Sequence, residues 1–386
     1  MKKINNYKPI LFLSSLGMGG LSVSFFMYLM FLVPHKGVPL ATFDYVFPAL
    51  KKGDWLSVVS ILAIVGIIFF AIQHFKLLIL NIKNFNLFKK SKEYKELKEK
   101  NEEITLMAIP LTFAMTINVC FVLGAVFVPG LWGVVEYLFP MALIGFLVVG
   151  IYALKIFMNY LTRVLVNGNF DCEKNNNLSQ MISIFAFAMI AVGFAAPGAM
   201  SHNITINSIG IIGSIFFLSI SFLLILIKLI NGFKNMFDKG ISLEASPSLW
   251  IMIPILTLIG ISFIRIIHGL HHNYNSHMEY SSLFILTTII LSLQVIFGMI
   301  GYQIMKKMGY FDKYINGKEK SPISFALICP GVAITVFGFF FINFGLVKNN
   351  ILDKYSLFYF TLMLPFIYIQ IKTIITSIKL KNKFSL

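Results

Sequence analysis

Ten apolar runs, each at least about as long as the roughly 20 residues a helix needs to cross a bilayer, fill most of this chain. In lipid every backbone N–H and C=O has to be satisfied within the protein, which leaves helices and closed barrels as spanning structures. Runs of this length, without a strict two-residue alternation, point to helices. Composition agrees: 58% of residues are hydrophobic and 12% charged, outside the range of soluble domains. The fold class expected is all-α integral membrane, with 1–386 as one transmembrane domain. Spans are expected at 9–33, 55–81, 105–128, 134–165, 179–200, 207–232, 248–270, 280–305, 322–347 and 355–378. The first follows a basic start, MKKINNYK, as a signal peptide would. Its run is too long and lacks a small-residue cleavage pattern, so it reads as a retained helix.

Lysine placement sets the orientation. Lys83, Lys89, Lys90, Lys92, Lys95, Lys98 and Lys100 follow the second span, and Lys306, Lys307, Lys313, Lys318 and Lys320 the eighth. Lys2, Lys3 and Lys8 precede the first, and Lys379, Lys381 and Lys383 lie at the end. The alternate loops hold Lys36, Lys51, Lys52, Lys348 and Lys354. The positive-inside rule then puts both termini in the cytoplasm, as an even number of spans requires. The formal charge of +16 is split among short loops, so no nucleic-acid partner is expected. The segment 82–104 alternates Lys and Glu and reads as a cytoplasmic connector that extends a helix; no soluble part is large enough to be catalytic.

A repeat runs through the odd-numbered spans. EITLMAIPLTFAM, SPSLWIMIPILTL and SPISFALICPGVA place Pro110, Pro254 and Pro330 at nearly the same depth. KPILFLSSLGMGG aligns with the last of these and has Gly17 where Pro330 stands. The fifth span carries Phe185 to Phe187 at that depth, with Gly193 and Pro197 further on. A proline inside a helix costs about 3 kcal/mol, so matched prolines imply kinked first helices in a repeated hairpin. Five hairpins then give an inner ring of five helices and an outer, lipid-facing ring of five.

This architecture, with P-S-L-W-I-M-I-P in the seventh span and F-A-L-I-C-P-G in the ninth, resembles the TehA and plant slow-anion-channel family, also called the tellurite-resistance/dicarboxylate transporter family. A bacterial side branch of it is labelled TsoY. The resemblance covers the whole chain and rests on moderately specific motifs. It implies a homotrimer in a bacterial cytoplasmic (inner) membrane, with a pore for small inorganic or organic anions in each subunit. It also implies a phenylalanine plug just before the ninth-span proline. Here that residue is Cys329, so the gate is missing or moved, and Phe185, Phe187 and Phe325 are the substitutes.

The inner spans offer a solute small and hydroxylated residues, among them Ser14, Ser15, Thr112, Thr116, Ser183, Thr257, Ser262 and Thr335. These line a path or let helices pack closely. No Asp or Glu lies deep in a span, whereas coupled transporters usually keep an intramembrane carboxylate, so a passive channel or exporter is expected. Arg265, near the outer end of the seventh span, is either a snorkelling anchor or a group that recruits anions. His268, His271 and His272, with His277 beyond, form an outer cluster at helical spacing. Such residues are bland loop histidines, metal ligands or pH sensors. Three cysteines, Cys120, Cys172 and Cys329, are too few for a disulfide framework. A second reading is therefore a membrane metal- or thiol-handling protein that uses the outer histidines and Cys329. No cofactor is expected. There is no nucleophile–base–carboxylate set, CxxCH or glycine-rich phosphate loop, so enzyme activity is not expected either.

Overall fold

The computed structural model describes residues 7–386 apart from Asn169, 172–175, Asn275 and Met278; Lys2, Lys3 and Cys172 lie outside the described residues. Every regular element among them is helical. Ten segments are long and apolar enough to cross a membrane, so the chain is an all-α, multi-pass membrane protein. We number the helices α1 (Phe12–Leu32), α2 (Phe43–Leu50), α3 (Trp55–Phe88), α4 (Lys92–Leu97), α5 (Ala108–Phe127) and α6 (Leu131–Asn167). They continue as α7 (Ile182–Met200), α8 (Ile204–Lys239), α9 (Met252–Asn273), α10 (Tyr280–Lys307), α11 (Ile328–Phe340) and α12 (Leu357–Phe384). The short helices α2 and α4 do not span. The connector after the second span is shorter than the sequence suggests, because α3 runs to Phe88 before α4 and a 3-10 segment, Asn101–Met107, take over.

Helices α1, α5, α7, α9 and α11 form a closed ring, each packed against the next and α11 against α1. Each outer helix lies in the groove between its own inner partner and the following one: α3 on α1 and α5, α6 on α5 and α7, α8 on α7 and α9, α10 on α9 and α11, α12 on α11 and α1. The apolar stretches of the inner spans are 61% to 94% buried, those of the outer spans 22% to 44%. Because every second span belongs to the ring, all five inner helices run in one direction.

Small residues permit this packing. A Cβ on Gly17 of α1 would lie 2.8 Å from the Ile328 side chain at the start of α11. Polar bridges then fix the register of each hairpin. On α3, His74 is fully buried; its Nδ1 lies 2.8 Å from the Ser15 carbonyl of α1 and its Nε2 3.0 Å from Thr116 Oγ1 of α5. Such bonds contribute only about 0.6 kcal/mol each inside a membrane, so close packing carries the ring and the polar bridges specify it.

The matched prolines lie at the starts of their α-helices and not in the helix interiors. Each inner span opens with a 3-10 segment: Pro9–Leu11, Asn101–Met107, Ser179–Met181, Ser246–Ile251 and Pro322–Leu327. Pro110, Pro254 and Pro330 are each the third residue of the α-helix that follows. Where i−3 bonding changes to i−4 bonding, two successive N–H groups compete for one carbonyl. Proline at that step removes the competing donor and leaves the carbonyl with its other partner. Among the spanning helices the interior prolines are Pro197 in α7 and, in outer helices, Pro140 of α6 and Pro365 of α12; the short α2 holds Pro48. Proline is therefore not confined to the inner ring; what the three motifs share is the helix start.

Candidate functional site

Two cavities open along the ring axis. One, of about 1060 Å³, lies at the helix starts, beside the connector. The other, of about 1160 Å³, lies among the opposite ends. By the lysine bias the first is the inner vestibule and the second the outer. Phe185, Pro254 and Cys329 border both, so the layer between the vestibules is built from these three side chains. Phe185 and Cys329 are only 5% and 7% exposed, so little open surface remains where the two cavities meet, and we refer to this layer as the constriction.

The expected gate residues separate here. Phe185 reaches the constriction from α7, one turn beyond the Ser179–Met181 segment. Phe187 does not: it points into the wall, stacked on Phe217 of α8 and edge-on to Phe157 of α6. Two residues further along a helix is about 200° of rotation, so both rings cannot face the axis. Phe325 is fully buried against Phe384 of α12 and borders neither cavity. Pro330 lines the inner vestibule and Gly17 the outer, whereas Pro110 lines neither.

The hydroxyl-lined path of the sequence reading is not present. Ser14 donates to the Leu11 carbonyl at 2.7 Å, Ser15 to His74 at 2.9 Å, Thr112 to Ala108 at 2.7 Å and Thr116 to Thr112 at 2.9 Å. Ser183, Thr257, Ser262 and Thr335 likewise donate to backbone carbonyls. Only Thr257 among these eight borders a cavity. In a membrane helix the preceding turn is the nearest acceptor, and all of these side chains but Ser15, which crosses to α3, take it.

Charge divides unevenly between the vestibules. The outer one is lined by Lys36, Arg265, Lys348 and Lys354, and no Asp or Glu among the described residues borders it. The inner one carries Lys8, Lys90 and Lys100 but also Glu93, Glu96, Glu102 and Glu244. The C-terminal ends of five parallel helices place about −0.5 charge each, roughly −2.5 in all, towards the outer side. Four formal positive charges outweigh that, and the outer vestibule stays electropositive.

Arg265 is half-buried and faces the outer vestibule, with Nη1 donating to the Val192 carbonyl at 2.8 Å; this is not the geometry of a side chain reaching for the membrane surface. His268, one turn on, lines the same cavity and bonds the Ile264 carbonyl through Nδ1 at 2.6 Å. The other outer histidines diverge. His271 faces the Ser276 carbonyl, His272 packs on His202 with ring centres 4.5 Å apart, and His277 is exposed. Among the described residues no three His, Cys, Asp or Glu side chains come together as a metal site. His35, which the sequence places on the outer side but apart from the cluster, also borders the outer vestibule. Burial and the Lys354 ammonium hold its imidazole below the ordinary range, against a hydrogen bond to the Val33 carbonyl that raises it.

Compared with known proteins, the chain matches no family model and no curated sequence.

Proposed function

We propose that the protein is a passive channel or exporter for small anions, with a pore in each subunit along the axis of the inner ring. The observation that carries this reading is the outer vestibule: four cationic side chains, no carboxylate among the described residues, and a cavity that meets its inner counterpart at one narrow layer. A cleft lined by one sign of charge concentrates counter-ions at its mouth. Within the spans no carboxylate or histidine faces the constriction, so nothing there takes up a coupling proton, and a solute moves down its own gradient. Phe185 is the aromatic that occludes the path, in place of the plug that the resemblance to the slow-anion-channel family leads one to seek at Cys329. The same resemblance supports a homotrimer in a bacterial cytoplasmic membrane.

The test is anion flux in proteoliposomes against a panel of chloride, nitrate, sulfite and dicarboxylates, with Phe185→Ala beside the unaltered protein. Flux that rises in Phe185→Ala and carries no cation supports the reading. Cation flux, or no flux from either protein, sinks it.

A further inference from the structure

The outer vestibule has a side arm that leaves the pore axis between α5 and α6. On α6 it is bordered by Leu131, Val135, Leu138, Ala142 and Phe146, which form one stripe at helical spacing. From 131 to 146 that stripe runs about 22 Å at 1.5 Å per residue. From α5 it is bordered by Ile117, Phe121 and Gly124, with Asn118 and Cys120 on the same stretch of the cavity wall. Apart from those two side chains the lining named here is apolar or glycine. Met141, 68% exposed on the lipid side, also borders the arm, so it communicates with the bilayer. Two polar groups stand at the head end, in the segment between α1 and α2. Thr42 is 1% exposed, and its hydroxyl has no hydrogen-bond partner. Lys36 is exposed on the same cavity.

We propose that this arm is a binding site for one acyl chain of an anionic amphiphile, with the carboxylate or phosphate head at Lys36 and the Thr42 hydroxyl. Three features fit that occupant. The hydrocarbon core of a bilayer is about 30 Å thick, so the acyl region of one leaflet, about 15 Å, fits within the length of the α6 stripe. Apolar cavities stay free of water, and one that opens to the membrane is filled by the hydrocarbon beside it. The head end carries the Lys36 ammonium and a buried hydroxyl left to donate, while the nearby Asp44 carboxylate is taken by the Gly130 N–H and does not border the cavity. A small inorganic anion gains nothing from the apolar slot and has Arg265 deeper in the vestibule. The site stands independently of whether anions cross the constriction.

Trp132 borders the arm and is one of three tryptophans in the chain, with Trp55 and Trp250. A Trp55→Phe, Trp250→Phe protein in phosphatidylcholine nanodiscs therefore carries its only reporter at the site. One arm of the experiment titrates free brominated stearic acid and a second brominated phosphatidylglycerol. Saturable quenching of Trp132 is expected; saturation by the free acid alone identifies a single-chain amphiphile, and saturation by both identifies lipid of the bilayer. Lys36→Gln should raise the half-saturation point about tenfold, the scale of one charge-assisted hydrogen bond. Ala142→Phe, which fills the slot, should leave only the linear quenching seen with Trp55 as sole reporter. Val135→Phe is the second filler, should Ala142→Phe fail to fold. Linear quenching in both arms, or saturation that neither filler removes, overturns the proposal.

Discussion

Arg265 on α9 donates a hydrogen bond to the Val192 carbonyl on α7 at 2.8 Å, which ties two neighbouring ring helices together at the wall of the outer vestibule. The bond uses one of five guanidinium N–H donors, and the permanent charge stays beside the cavity. A side chain anchored to backbone in this way holds its charge at a fixed depth, which a snorkelling lysine does not.

The first prediction follows from that fixed charge. Arg265→Gln keeps an amide able to reach the Val192 carbonyl but removes the charge. Anion flux should fall roughly tenfold at about 0.01 M salt, where the screening length is about 30 Å, and by less than about twofold near 1 M, where it is about 3 Å. Proteoliposome flux at the two ionic strengths measures this. Equal flux from both proteins at low salt would reduce Arg265 to a helix tie.

Phe185 and Phe187 should part company. Phe185→Ala takes bulk out of the constriction and should raise flux several-fold. Phe187→Ala leaves a hole between α6, α7 and α8, and large-to-small changes at aromatic core sites cost about 3–5 kcal/mol. It should lower the unfolding temperature with flux per folded protein unchanged. Flux and thermal unfolding measured on both variants decide it; a flux rise in Phe187→Ala alone would move the gate.

The contrast shows what was legible in the sequence. Span number, order and the division into inner and outer helices were all readable, because burial inside the ring and exposure to lipid select different residues over more than 20 positions per helix. The proline repeat was visible too, but its meaning was not. A proline in a long apolar run looks interior until the 3-10 segment before it is seen, and that segment shares the hydropathy of the helix it precedes. Rotation about the helix axis was the other gap. Phe185 and Phe187 lie in the same motif, and only the packing of α7 on α8 decides which ring meets the axis. Hydroxyl direction was unreadable for the same local reason, since each Ser or Thr chooses between cavity and preceding carbonyl. The outer side of His35 was readable, but not its place in the vestibule, because the span-based reading had no place there for the α1–α2 loop.

The proline reading has its own test. If Pro330 sat in a helix interior, Pro330→Ala would stabilise by about 3 kcal/mol. At the change from 3-10 to α bonding the native step already lacks a conflict, so replacement should alter stability by less than about 1 kcal/mol in either direction. Thermal unfolding of Pro110→Ala, Pro254→Ala and Pro330→Ala in detergent measures this, and a large stabilisation in any of them would restore the kink.

His35 should give the flux a pH dependence. Its folded-state pKa lies below the ordinary histidine value because of burial and Lys354, so it is neutral at pH 7. The sign for stability follows: a depressed histidine contributes stability above about pH 6.5, its unfolded value, and that contribution is lost as pH falls through the folded pKa. The sign for flux is opposite, because protonation adds a positive charge to the outer vestibule. Lys354 is also held below its ordinary value, by burial first and then by Lys348, so the vestibule sheds charge sooner on the alkaline side. Flux should therefore rise as external pH drops below the ordinary histidine range and fall towards alkaline pH. His35→Gln should flatten the acid limb and Lys354→Gln the alkaline one. An acid limb that survives His35→Gln would assign it to another vestibule group, with His268 the remaining histidine there.

Cys329 stands in the layer between the vestibules, where its thiol is the one polar group that Phe185 and Pro254 do not supply. A membrane-impermeant, positively charged thiol reagent added from outside has to cross the cationic vestibule to reach Cys329, which borders that cavity beside Phe185 but is only 7% exposed. Cys120 is exposed and borders the same cavity, so it is first replaced by Ala, and Cys172 by Ser. Modification should then be slow in this background and at least about tenfold faster with Phe185→Ala, because the ring no longer shields the thiol; the thiolate is the reacting form, so the rate should also climb with pH. Each modified subunit should lose anion flux, as an adduct at the narrowest point blocks it. Phe187→Ala, whose ring faces the wall, should leave the labelling rate where it was. Labelling that is unchanged by Phe185→Ala would separate Phe185 from Cys329 and dissolve the constriction as a functional unit, whatever the flux.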